Sequence, residues 1–235
     1  MFKRSAVLFY GVLLTLTGLA AVRPATADAA CSDVAVVFAR GTAETAPPLG
    51  ITGLAFANDV RNRLRGKSVN VSAVNYPASS DFDHRTRFVE NIVTGVRDTQ
   101  RQVVSLSRRC PKTRIVVGGY SQGAAVAAYA LSERIVAPAQ YQRYQEKAPK
   151  PLPDDVASHV AAVVLFAPPS AAWIRQLNAP PMTVGPHYRG RSKSYCIPGD
   201  IVCNGAPVGR PNALHVLYSV NGMTADAAQF VARKL

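Results

Sequence analysis

Acidic side chains are scarce in this chain: 14 Asp and Glu stand against 27 Lys and Arg, a formal net charge of +13. An excess of that size favours acidic counterparts: anionic lipid headgroups, acidic polymers or nucleic acid. No nucleic-acid-binding motif is present, and the basic residues are scattered rather than run together. Nucleic acid is therefore set aside, while association with an anionic lipid or cell-wall surface stays open. No C-x-x-C pair occurs, which argues against a structural zinc site. Nothing else in the sequence asks for a metal or a cofactor. No internal repeat is visible, which excludes a solenoid. Long apolar runs are scarce too. The run from Val7 to Val22 is short for a membrane span.

That run belongs to a different pattern. Lys3 and Arg4 precede it, and small residues follow it in Ala25-Thr-Ala-Asp-Ala29. Positive, apolar and small in that order is the pattern of a secretory signal peptide, here residues 1–29, with cleavage after Ala27 or Ala29. Asp28, three positions before Cys31, speaks against lipidation of that cysteine. Removing residues 1–29 removes Lys3, Arg4, Arg23 and Asp28, a net of +2, so the mature chain keeps +11. The remaining residues 30–235 are enough for a single domain with one sizeable core, expected as a monomer. All four cysteines, Cys31, Cys110, Cys196 and Cys203, lie in this part. An even number in an oxidising compartment implies two disulfides, with three possible connectivities. The simplest joins Cys196 to Cys203 across a short loop and Cys31 to Cys110 across a long one.

The body of the chain alternates strands with helices. Asp33 to Ala39, Ser68 to Val74, Arg114 to Val117 and Val160 to Phe166 are apolar, β-branched runs with strand composition. Between them, Leu54, Phe56, Val60 and Leu64 recur at helical spacing. Phe88, Ile92, Val96, Val103 and Leu106 predict a long amphipathic helix over residues 84–108. Ala124 to Ile135 reads as another helix, and a last one starts near Thr224, which could cap it. Buried strands alternating with helices predict an α/β sandwich with a mostly parallel central sheet. Residues 137–155 are polar and proline-rich, and read as a surface excursion.

The chemistry gathers at Gly119-Tyr-Ser-Gln-Gly123, which fits G-x-S-x-G between a strand and a small-residue helix. A serine on such a turn projects its hydroxyl above the sheet. Flanking glycines relieve the crowding, and the next N–H sits at the positive end of the new helix. A serine nucleophile needs a base, and the base needs an orienting carboxylate. The histidines after Ser121 are His159, His187 and His215. His215 is the best placed, following Asp200 in Cys196-Ile-Pro-Gly-Asp-Ile-Val-Cys203. Asp154, Asp155, Glu133, Glu146 and Asp226 are weaker candidates for the carboxylate. The loop after the first strand, with Gly41 and Thr42, should supply a second oxyanion donor beside the N–H of Gln122. Arg189, Arg191 and Lys193, just before Cys196, are candidates for attracting anionic lipid near the aspartate loop.

Four segments, "VVFARGTAET" after an N-terminal cysteine, "GGYSQGAAV", "CIPGDIVCNG" and "LHVLY", together resemble the cutinase family of serine esterases. They look closest to its actinobacterial-type secreted members. The resemblance runs from about Cys31 to the C-terminus. It implies an α/β-hydrolase-type fold with a central five-stranded sheet and no large lid. It implies Ser121 as nucleophile, His215 as base and Asp200 as its partner, with Thr42 and Gln122 as the oxyanion hole. It implies the disulfides Cys31–Cys110 and Cys196–Cys203. The activity implied is an esterase or lipase acting on short to medium acyl esters without a cofactor. Phospholipase or acyltransferase action by the same residues, or a catalytically silent wall- or lipid-binding protein, are the alternatives. The 137–155 segment is longer than in compact fungal members, and Thr42 stands where serine is frequent.

Overall fold

The computed structural model describes residues 31–44 and 48–235. The leader expected over residues 1–29 lies outside them. Five strands form one sheet: β1 (Val34–Ala39), β2 (Val69–Ala73), β3 (Arg114–Tyr120), β4 (Val160–Phe166) and β5 (Ser192–Tyr195). Their order is β2-β1-β3-β4-β5, and every neighbouring pair is parallel. The helices are α1 (Gly50–Arg63), α2 (Arg85–Arg109), α3 (Gln122–Ala130), α4 (Asp154–Ala157), α5 (Ala171–Gln176), α6 (Pro186–Arg189) and α7 (Met223–Ala232).

Alternate residues of the central strands serve opposite faces of the sheet. Val37, Ile115, Val117, Val163 and Leu165 pack with α2 and α3. Val36, Phe38, Val116, Val164 and Phe166 pack with α1 and α7. Covering both faces is why these strands read as unbroken apolar runs instead of alternating ones. On the second face Phe38, Phe56 and Phe166 form an aromatic cluster with centroids 5.5–6.3 Å apart. The disulfide Cys31–Cys110 ties the entry of β1 to the end of α2, and Cys196–Cys203 closes the loop after β5.

Three local expectations are adjusted. The strand β5, Ser-Lys-Ser-Tyr, carried no apolar run because it is an edge strand with only Tyr195 buried. The helix expected to reach Ile135 ends at Ala130. The Leu131 carbonyl instead accepts the Gly185 N–H at 2.8 Å, joining this end to a distant loop. Thr224 does not cap the last helix. Gly222, at φ +85°, occupies the cap position, Thr224 is buried within the first turn, and Asn221 Oδ1 accepts the Met223 N–H at 3.1 Å. The 137–155 segment contains a 3-10 turn over Ala139–Lys147 before α4.

Parallel strands place all their C-terminal ends along one edge of the sheet. The loops after β1, β2, β3 and β5 therefore meet there, and candidate functional residues from four distant parts of the chain converge on that edge.

Candidate active site

Ser121 stands between β3 and α3 with φ +53° and ψ −118°, a conformation that is costly for a residue with a side chain. The surroundings impose it. The Ser121 N–H donates to the Phe166 carbonyl of the neighbouring strand at 2.9 Å, and its own carbonyl already accepts from Ala124 and Ala125 at the head of α3. The two motif glycines are there for close backbone approach. A Cβ on Gly119 would collide with the Gly123 carbonyl, and one on Gly123 with the carbonyls of Ala39 and Arg40. The turn therefore packs backbone against backbone, and the loop after β1 lies directly on the start of α3.

His215 and Asp200 reach this serine from the far end of the chain. His215 Nε2 is 2.9 Å from Ser121 Oγ, and Nδ1 is 2.9 Å from Asp200 Oδ2. All three are buried, Asp200 completely. A carboxylate without contact with water must have its oxygens satisfied by donors. Besides His215, the Val202 N–H donates to Oδ1 at 3.0 Å and the Tyr218 hydroxyl to Oδ2 at 2.7 Å. The Tyr218 oxygen in turn accepts the Ile197 N–H at 2.9 Å. Burial first, and the Asp200 charge beside it, hold the Tyr218 phenol well above its usual pKa, so it stays a donor. On the other side the Tyr120 hydroxyl donates to the His215 carbonyl at 2.5 Å, and its ring lies 5.2 Å from the imidazole. Two tyrosines thus fix the His215–Asp200 pair, one through the carboxylate and one through the histidine backbone. Neither was singled out from the sequence, although Tyr120 lies inside G-x-S-x-G and Tyr218 three residues after His215.

The other titratable candidates lie elsewhere. His187 is exposed and faces Asp154 at 3.1 Å. His159 is half-buried just before β4, where its carbonyl accepts the Ile115 N–H. Asp226 is held by Lys193 and Tyr195, each donating to Oδ2. Glu133, Glu146 and Asp155 are exposed. Of the three basic residues before Cys196, Lys193 is committed to Asp226 and Arg191 donates to the Val160 carbonyl at 2.7 Å. Neither Arg189 nor Arg191 has an acidic partner among the described residues, and both precede β5, at the end of the strand opposite Asp200.

Thr42 lies in a loop braced from several sides. The Glu44 carboxylate accepts the N–H groups of Gly41 at 2.7 Å and Ile51 at 2.9 Å, the latter at the head of α1. The Arg40 guanidinium donates to the carbonyls of Tyr76, Pro77 and Glu44, and the Ala43 N–H to that of Ala78. Gln122 Nε2 reaches across to the Ser79 carbonyl at 3.0 Å. The Thr42 N–H donates to no acceptor among the described residues. The N–H of Gln122, first residue of α3, has no partner within the helix.

A parallel sheet flanked by helices, with a Ser–His–Asp hydrogen-bond chain on a strained strand-to-helix turn, defines a serine hydrolase of the α/β type. The family model for cutinase matches residues 30–235, and the chain belongs to the cutinase family. It is 42% identical over 174 residues to the probable carboxylesterase Culp7 of Mycobacterium tuberculosis, covering 74% of this chain and 89% of that protein. It is 37% identical over 241 residues to carboxylesterase Culp1 of the same organism, covering 100% of this chain and 98% of the relative. Among solved structures, Trichoderma reesei cutinase bound to a phosphonate inhibitor is similar at 26% identity and a TM-score of 0.60, covering 86% of this chain and 76% of the other.

Proposed function

We infer that this chain is a secreted carboxylic ester hydrolase working through an acyl-enzyme on Ser121, on short to medium acyl esters. The observation carrying this reading is the unbroken hydrogen-bond chain from Ser121 Oγ through His215 to buried Asp200. Ser121 Oγ attacks the ester carbonyl while His215 Nε2 takes its proton. Asp200 holds the imidazole in the tautomer that accepts at Nε2 and stabilises the imidazolium that forms. The N–H groups of Thr42 and Gln122 receive the tetrahedral oxyanion, aided by the positive end of α3. His215 then protonates the leaving alcohol. Water, deprotonated by the same imidazole, attacks the acyl-enzyme and releases the acid. Val216 and Leu217, next to His215, are exposed apolar side chains suited to an acyl chain at the mouth.

The mature domain is residues 30–235, following a leader cleaved after Ala27 or Ala29. Two disulfides fit an oxidising compartment. The positive net charge supports association of the monomer with an anionic lipid or cell-wall surface.

The test is hydrolysis of p-nitrophenyl esters from butyrate to palmitate by the mature protein and by Ser121→Ala. The wild type should turn over the shorter esters fastest, and the variant should lose about 10⁴-fold or more in kcat. A folded wild type with no activity on any ester would overturn the reading.

A further inference from the structure

We propose that a groove between α2 and the segment 150–153 binds a linear polyanion, a phosphate-bearing polymer, and thereby holds the protein at a surface. This deepens the surface-association reading above and does not depend on ester hydrolysis. The groove has a volume of about 840 Å³ and is rimmed by Arg97, Arg101, Arg108, Arg109 and Lys150. Val104 and Leu152 contribute apolar floor, and no Asp or Glu lines it. Arg101 is paired with Asp98 at 2.8 Å, whereas Arg108, Arg109 and Lys150 have no acidic partner among the described residues.

The walls are built. Gln100 Nε2 donates to the carbonyls of Lys150 at 2.8 Å and Ala130 at 3.1 Å, and Arg97 to that of Lys147 at 3.0 Å. These bonds fasten the proline-rich segment along α2. Arg108 and Arg109 have a structural reason to be where they are, since cations in the last turn complement the helix dipole. Arg97 and Arg101 lie in the middle of the helix, where that reason does not apply; Arg97 holds the Lys147 carbonyl and Arg101 pairs with Asp98, and both keep their charge on the groove. From Arg97 to Arg108 the helix rises about 16 Å, a row of positive charge long enough for several units of a chain.

Shape and composition favour a polymer over a bilayer. A surface that seats on lipid needs apolar side chains to insert beside its basic ones. The large exposed apolar residues, Ile51, Phe82, Val216 and Val220 among them, do not line this groove. Position matters as well. The Arg108–Arg109 end of the groove lies near the start of β3, while Ser121 follows the other end of β3, about 20 Å away along the strand; the Arg97 end is nearer, because α2 runs back along the sheet. None of Ser121, Asp200 and His215 lines the groove.

The experiment uses the mature protein and long-chain inorganic polyphosphate, with affinity measured from about 50 to 300 mM salt. Arg108→Gln/Arg109→Gln/Lys150→Gln is compared with Arg61→Gln/Arg63→Gln/Arg65→Gln, which removes the same charge from around the end of α1. Binding by the wild type should weaken steeply with salt as counterions are released. The groove variant should lose about tenfold or more in affinity, with a salt slope shallower by about two. The α1 variant should change less than about threefold. Hydrolysis of p-nitrophenyl butyrate should be unchanged in both, reporting an intact fold. Equal losses in the two variants would overturn the groove and leave only diffuse charge. Wild-type binding to vesicles of phosphatidylcholine and phosphatidylglycerol, but not to polyphosphate, would overturn the polymer. No binding to either probe would remove the surface-association reading itself.

Discussion

The two halves of the candidate site are held by different means. The serine half is backbone packed on backbone: Gly119 against Gly123, and Gly123 against the carbonyls of Ala39 and Arg40. Regular structure lies on either side of it, β3 before and α3 after. The Asp200–His215 half is a run from Cys196 to His215 with no strand or α-helix between them. It is held by the Cys196–Cys203 disulfide, by Tyr218 on Asp200 and by Tyr120 on the His215 carbonyl. A strained side chain can be kept by close packing of the main chain alone. An imidazole and a carboxylate carried on a loop need cross-links and side-chain hydrogen bonds, because the loop itself has little else to resist motion.

Breaking the serine half should have the largest effect. Gly123→Ala forces a methyl group into two carbonyls, so stability should fall by more than about 3 kcal/mol, or the protein should fail to fold. Thermal unfolding and soluble yield check this. Gly66→Ala, at a turn glycine with φ +90° and open space around its Cβ position, is the control and should cost about 1–2 kcal/mol.

Breaking the other half should damage activity more than folding. Cys196→Ser/Cys203→Ser frees the Asp200 loop, and kcat should fall about tenfold or more. Cys31→Ser/Cys110→Ser, compared at a temperature of equal folded fraction, should retain nearly full kcat, since that bridge lies at the opposite edge of the sheet. Equal kcat losses would mean that the small bridge does not hold Asp200.

Tyr218→Phe sharpens the comparison. It removes a donor from Asp200 and leaves the Ile197 N–H without its acceptor, a stability cost of about 1–3 kcal/mol. As a positioning residue, Tyr218 should also affect kcat, by about fivefold to tenfold with KM little changed, and should alter the acid limb of the kcat profile. A stability loss with kcat and its pH profile unchanged would make Tyr218 only structural.

The smallest effect concerns strain. Ser121→Gly and Ser121→Ala should both be inactive, but the glycine variant should be more stable by about 1 kcal/mol, because φ +53° is easy only for glycine. Paired denaturation curves measure it. An alanine variant as stable as the glycine variant would mean that the turn carries little strain.

Legibility followed locality. β1, β3 and β4 were visible because both their faces are covered, so apart from Arg114 at the start of β3 no residue is charged whichever way it points. The edge strand β5 was not, since Ser192-Lys-Ser194 is polar, only partly buried and resembles a loop. Thr224 had the composition of a cap, yet it is buried while Gly222 takes the cap position, a choice made by packing. Glu44 carried no sign of bridging Gly41 and Ile51, because that role exists only once the loop folds back onto α1.

The sequence alone determined the alternation of strands and helices and the sharp turn at Ser121, because both are written in neighbouring residues: apolar runs, spaced glycines, a serine between them. It also narrowed the acid–base pair to a short list by chain order. Only the tertiary structure decided that His215, 94 residues from Ser121, meets its hydroxyl, that Tyr218 and Tyr120 hold the pair, and that basic residues scattered along α2 gather with Lys150 on one groove. Contacts at such separations depend on how the sheet orders its strands and where its loops end, and no local run of residues carries that information.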